Sequence, residues 1–424
     1  MKSDALLDAP HVDVPTIPAP ADCMPSLVAA GRTAPVVKVT YYGGTAWAVC
    51  DMDLVRVALM DHRLSKDIEI TPAWMRVPGV MLGSQPSAEV ARTMVMSEGP
   101  EHARIRRLHQ QIFTPRNTAK WGERLTSLAE ELLDDLAAEA GAEVNLVERY
   151  TYPLPLGFIC EMLGLQPQMH AVMRKATDDI IYSPEQSVRV GGVGALAAAV
   201  ASWAGDPTSL NDGLITGLLD SIDGDGAITV NEVATWTVGL VMAGYESTAS
   251  LIAASILEAL RAPAQRRPRT EAEIDAWIEE TLRIHPPFPH ATWRFATEDL
   301  DLGGYLIPRG APVQINIAAA NRCPHSENTE AFDPSAGRGH ISFGLGHHYC
   351  LGAPLARLEA KIALSAFLSR FPNARLSETT ELRWQSEWMT RRINVLPVCF
   401  PTSPSPTTKS EPGADRRLPA AGGE

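Results

Sequence analysis

One short loop constrains this chain more than any other feature: Phe343-Gly-Leu-Gly-His-His-Tyr-Cys350-Leu-Gly352. Three glycines and a cysteine stand directly before a helical run to about Phe371, with Leu355, Leu358, Ile362 and Ala366 on one face. Glycine allows turns that other residues resist, and lets a flat ligand approach the backbone. A cysteine at a helix start meets free N–H donors and the positive end of the dipole, and both favour thiolate over thiol. On residue type alone, such a cysteine is more often a small buried apolar group.

A second constraint is a long run that opens on the capping box Thr229-Val-Asn-Glu232 and reads as one helix to about Leu260. Midway stands Ala243-Gly244-Tyr245-Glu246-Ser247-Thr248. A mid-helix glycine costs about 1 kcal/mol relative to alanine, so close packing should compensate. Two readings stay open here. The small pair marks a close helix crossing with Glu246 salt-bridged, or an acid beside hydroxyls passes protons inward. A third helix opens on Thr270-Glu-Ala-Glu273 and must end at Pro286-Pro287. It carries Glu280 and Arg283 on one face, a pair that would be a weak surface ion pair if exposed.

Strand patterns are few. They cover Val36–Tyr42, a Gly43-Gly44 turn, Ala46–Val49, short runs within 299–315, and 392–400. The class is mainly α with small β-sheets. Residues 1–21 read as a flexible N-terminal arm and 401–424 as a disordered C-terminal tail, leaving one domain over 22–400. Charges of 37 and 50 give a net −13. Such acidity argues against nucleic acid or an anionic membrane as a partner. The six cysteines form no C-x-x-C pair, and the start shows no secretion signal. A cytoplasmic, reduced protein is expected. A single thiolate without companion ligands suits an axial bond to haem iron better than a zinc site.

The pattern Phe343-x-x-Gly-x-His-x-Cys350-x-Gly resembles the haem-binding signature of the cytochrome P450 family, the haem-thiolate monooxygenases. The resemblance extends from the Trp47 strand region to about Phe400 and implies the single-domain cytochrome P450 fold. Haem b would lie between the long central helix and the Cys-loop helix. It makes Cys350 the iron ligand, with Phe343 packed under the thiolate, His348 bonded to a propionate and Gly352 in the loop. Ala243 and Gly244 would face the haem, and Glu246, Ser247 and Thr248 would serve oxygen activation. Ser247 stands where the family usually has threonine, and lacks the methyl that fixes the rotamer. Glu280 and Arg283 match the family's structural pair, and Arg338 lies later than the usual third member.

The resemblance also sorts the basic residues. His102 and Arg106 are i,i+4 neighbours in Pro100-Glu-His-Ala-Arg-Ile-Arg-Arg107, which by residues alone is a solvated basic face. By resemblance, His102, Arg106 and Arg294 hold propionates, while exposed cations among Arg104 and Arg107 dock an acidic ferredoxin. Electrons would come from NAD(P)H through a ferredoxin and its reductase, to a protein acting as a monomer. Trp74, Met75, Val80, Met81, Met242, Phe288 and Met389 are candidate pocket walls. They suit a mostly hydrophobic secondary metabolite, such as a terpenoid, polyketide or peptide-derived scaffold. Two alternatives remain: a peroxide-driven or radical-coupling oxidase on the same fold, and a non-catalytic haem-binding protein.

Overall fold

The computed structural model describes residues 6–12, 22–41, 44–76, 93–110, 112–113, 115–139, 141–183, 185–206, 210–220, 229–322, 330–337, 339–386 and 390–401. Val80, Met81, Met389 and Arg338 lie outside the described residues, as does most of the expected tail. The helices are α1 (Met24–Thr33), α2 (Met52–Met60), α3 (Gly99–Gln110), α4 (Pro115–Ala137), α5 (Pro153–Leu163), α6 (Gln168–Tyr182) and α7 (Gln186–Gly205). They continue with α8 (Leu214–Asp220), α9 (Val230–Gly244), α10 (Glu246–Arg261), α11 (Glu271–Ile284), α12 (Ile317–Ala320) and α13 (Ala353–Arg370).

Both expected capping boxes form, at Thr229 with Glu232 and at Thr270 with Glu273. The long helix differs from expectation, because it breaks at Tyr245 into α9 and α10. Tyr245 has φ −105°, ψ −38°, off the regular helical pair, next to a glycine that lowers the cost of bending. α10 is buried on nearly every side and packs on α13, α11 and the strand Arg391–Val395. The stretch Thr235–Arg261 is long and apolar enough to cross a membrane, yet 72% of its most apolar window is buried, as in a core helix.

Strands assemble mainly into one six-stranded sheet. Its order is His11–Val12, Val36–Tyr41, Gly44–Val49, Pro312–Ile315, Arg294–Ala296 and Leu64–Ser65. The hairpin of Val36–Tyr41 and Gly44–Val49 alternates its side chains between two clusters. Val36 and Val49 join Ile315 and Leu345, while Val37, Val39, Ala46 and Ala48 join Trp293 and Phe295. Residues expected in a loose arm are partly docked: His11 and Val12 pair with Lys38 and Val39, and Leu7 bridges Tyr305.

Candidate active site

The cysteine loop is shaped by its own backbone. Gly344 and Gly346 adopt φ of 72° and 74°, a conformation other residues resist. A side chain at Gly346 would also meet Met60 of α2, with its first carbon 2.4 Å from the sulfur. Cys350 N–H donates to Phe343 O at 2.9 Å, closing the loop. The thiol meets the N–H groups of Gly352 and Ala353 at the start of α13. Burial raises its pKa, while those donors and Arg106 oppose the rise. The loop's floor is braced from α11. Arg357 donates to both oxygens of Glu279, at 2.6 and 2.9 Å, and covers the Phe343 ring with its guanidinium 4.5 Å from the centroid.

Glu280 and Arg283 are buried, contrary to the surface reading of their spacing. Their side chains are 3% and 0% exposed and form two hydrogen bonds of 2.7 Å. Arg283 also donates to Asn321 O and Ala331 O, and Asp333 N–H donates to Glu280 Oε1. Asn321 accepts from Ile341 N–H, which links the pair to the segment entering the cysteine loop.

Five basic groups gather beside Cys350. The His102 and His348 rings lie 4.2 Å apart. Burial and the fields of Lys66, His102, Arg294 and Arg106 push the His348 pKa down to about 2. Burial takes Arg294 down to about 10, and burial with the nearby Arg294 charge takes Lys66 well below its ordinary value. Glu98 acts on this cluster, but its oxygens already accept from Ser65 Oγ and Lys66 N–H. His102 Nε2 is buried without a partner. Lys66 was missed by sequence reading. It looks like one more surface lysine after a short strand, yet it is 3% exposed, with Nζ donating to Val95 O and Thr292 Oγ1 at 2.7 Å.

The small-residue patch resolves into three directions. Ala243 is exposed midway along the α9–α10 run, and Ser247, one turn on, is half-buried with Oγ donating to Ala243 O at 3.0 Å. Leu240 precedes them on the same stripe and is also half-buried. This is the open face. Gly244 faces α5 instead: a side chain there would stand 3.0 Å from Ile159. Thr248, 3% exposed, donates to Gly244 O on that packed side. The close-crossing reading therefore holds for Gly244, while Ala243 lies on the open face.

Glu246 points in a third direction. Its carboxylate accepts from Tyr152 and Tyr182 hydroxyls and lies 3.8 Å from Arg392, which also pairs with Asp178 at 2.8 Å. Burial raises its pKa, against the lowering pull of Arg392 and the two tyrosines.

A sequence profile of the cytochrome P450 family matches residues 168–389. The 6-deoxyerythronolide B hydroxylase of Saccharopolyspora erythraea is 33% identical over 387 residues, covering 87% of this chain and 93% of its own. The monooxygenase PikC of Streptomyces venezuelae is 32% identical, covering 89% and 91%. A myxobacterial cytochrome P450, CYP267B1, solved with myristic acid, superimposes with a TM-score of 0.82 at 28% identity, over 91% of this chain and 98% of its own. This chain belongs to the cytochrome P450 family. It is an oxygen-incorporating oxidoreductase of the bacterial type.

The family's cofactor is haem, and the P450 site suits one. A largely buried basic cluster whose nearby carboxylate, Glu98, is already hydrogen-bonded fits a dianionic edge. Among the described residues no group of three or more His, Cys, Asp or Glu side chains could hold a bare metal ion, so one thiolate suits a metal carried in its own ring.

Other expectations change. Arg104 is not free for a partner: it pairs with Glu101 and Glu232 and lies over the Trp236 ring. Arg107 is exposed. Met75 is fully buried in the cluster with Val37 and Trp293, and Trp74 packs against that cluster over Gly44. Both are core. Phe288 and Met242 are half-buried.

Proposed function

We propose that Cys350 ligates haem iron, that His102, Arg106, Arg294, His348 and Lys66 hold its propionates, and that Phe343 packs under the thiolate. The observation that carries this reading is the convergence of a helix-start thiol with five basic groups, whose nearby carboxylate, Glu98, is already engaged by Ser65 Oγ and Lys66 N–H. When bound, haem supplies the oxidising chemistry. The chain's share is ligation, orientation and proton handling. Ser247 Oγ sits on the open stripe beside Ala243 and is the hydroxyl placed to hold a proton there. Glu246 serves as the proton reservoir on the far side of the helix, fed through Tyr152 and Tyr182.

The substrate is a mostly hydrophobic small molecule of bacterial secondary metabolism. This is supported by relatives such as the hydroxylase named for 6-deoxyerythronolide B. Electrons come from NAD(P)H through a ferredoxin and its reductase, with Arg107 among the docking cations, to a cytoplasmic monomer. The test is the reduced carbon monoxide spectrum of haem-loaded protein. A thiolate-type Soret band that is lost in Cys350→Ala supports the reading; an unchanged spectrum in that variant rejects it.

One observation favours a second reading, peroxide-driven or radical-coupling oxidation. Glu246 is turned from the open stripe, and serine replaces threonine at 247. Ser247→Thr separates the two. Under the first reading it raises product formed per NAD(P)H consumed; under the second, peroxide-supported turnover is unaffected.

A further inference from the structure

A cavity of about 550 Å³, open to solvent, is lined by none of the residues placed at the haem site. That volume suits a small molecule. Its apolar surface comes from Trp121 of α4, Phe158 and Met162 of α5, and Leu214 and Leu218 of α8. Bare backbone sets one wall. Gly164 ends α5 with φ 83°, and Asn211 N–H donates to its carbonyl at 2.8 Å. A side chain at Gly213 would stand 2.4 Å from Gly164 N, so only glycine lets the start of α8 lie this close to the end of α5. The indole of Trp121 is held between the rings of Phe113 and Phe158, both at T-shaped angles with centroids 5.7 and 6.1 Å away. The cavity is therefore largely formed before anything enters it.

Its charges are unbalanced. Arg124, the cation on the wall, donates to both oxygens of Glu161 at 2.7 Å and to Glu131 at 3.1 Å. Asp212 also lines the cavity, and among the described residues no cation pairs with it. Three carboxylates thus stand around one guanidinium, in a chain whose net charge is −13. Such a field repels anions. A neutral apolar occupant would strip water from the Asp212 carboxylate and return nothing. A cation answers that carboxylate, and the aromatic faces beside it attract positive charge as well.

We propose that this cavity binds a small hydrophobic cation, a protonated amine on an aromatic body, with its ring against Trp121 and Phe158 and its ammonium toward Asp212. The site holds no thiolate, so the ligand is bound there and not oxidised. The proposal does not depend on the chemistry at Cys350.

The experiment uses haem-loaded protein saturated with 4-phenylimidazole, which occupies the iron and keeps amines from it; the Soret band reports that occupancy throughout. Titration calorimetry compares tryptamine with 3-ethylindole, its uncharged match, and with indole-3-propionate, its anionic one. Tryptamine should bind at one site, at least about fivefold tighter than either. Asp212→Asn should weaken tryptamine by about threefold to fivefold and leave 3-ethylindole within about twofold. A side chain added at Gly217, which lines the cavity, meets nothing within 4 Å, so Gly217→Phe fills the space without a clash. It should weaken tryptamine and 3-ethylindole alike by at least about tenfold. Thermal unfolding of each variant checks folding, and tryptamine should raise the Tm of the unaltered protein but not that of Gly217→Phe. If Gly217→Phe does not fold, Gly217→Leu carries the same comparison. No binding of tryptamine, a smaller preference over either match, or affinity that survives filling the cavity each overturns the proposal. So does a chain ending at Pro401 that binds tryptamine about tenfold tighter, since the chain's own Arg416-Arg417 segment would then be the occupant.

Discussion

Two buried carboxylates in this protein each meet an arginine, and they are held differently. Glu280 forms two short hydrogen bonds to Arg283, receives a third from Asp333 N–H, and its partner is anchored on two carbonyls. Glu246 is 1% exposed and stands 3.8 Å from Arg392, with two tyrosine hydroxyls as its donors. A carboxylate bonded on both oxygens to one guanidinium and to a backbone N–H is fixed in place. A charge balanced mainly by weak acids and a more distant cation can take up a proton, and burial pushes it that way. The first arrangement fixes the support of the cysteine loop. The second stores a proton beside the helix break.

The sharpest way to break the comparison is Arg283→Ala. It removes both guanidinium hydrogen bonds from the buried Glu280, and breaking a buried ion pair from one side costs about 3–5 kcal/mol. Denaturant unfolding should show that loss, with poor haem retention. A change below about 1 kcal/mol would mean that the pair is not structural.

Glu359 is a third case, and among the described residues no arginine pairs with it. It is 2% exposed on α13, its Oε2 lacks a partner, and burial raises its pKa well above the ordinary value. Glu359→Leu should stabilise the fold by about 1–3 kcal/mol, because an uncompensated polar group leaves the core. Destabilisation in the same assay would reveal a partner for that carboxylate.

Legibility followed the range of the interactions. The capping boxes, the Arg370 end of α13 before Pro372 and the cysteine loop are set by neighbours in sequence, and each was readable. Lys66 and His290 were not. One follows a short strand and the other a Pro-rich turn, and nothing local says that either side chain is buried. The Lys66 environment comes from a residue hundreds of positions away, Thr292. Arg104 failed for the same reason: its partner Glu232 lies in another helix. The Ala243-Gly244 pair allowed two readings because helix phase separates neighbours by about 100°, and only packing shows which of them meets Ile159.

A smaller effect is expected at Tyr182, whose hydroxyl donates to Glu246 while Arg392 lies over its ring at 3.4 Å. Tyr182→Phe keeps the ring and removes one hydrogen bond, at a cost of about 1–1.5 kcal/mol by denaturant unfolding. A loss above about 3 kcal/mol would show the hydroxyl holding more than this one bond.

The finest test is the pH dependence of the Glu246 carboxyl itself. Its folded pKa is raised above the ordinary 4.5, chiefly by burial. The folded state therefore binds more protons than the unfolded chain between those two values. Stability tied to this group is full below the ordinary pKa and falls as pH rises through the raised one. Glu246→Gln removes the titration and keeps the shape. The stability difference between the unaltered protein and Glu246→Gln should therefore shrink or reverse as pH climbs from about 4, then level off. Tyr182→Phe deletes one of the donors that favour the charged form, so in that background the decline should run on to higher pH. If the two pH profiles run parallel, Glu246 keeps its charge in the fold and is no proton store, and the contrast between the two carboxylates disappears.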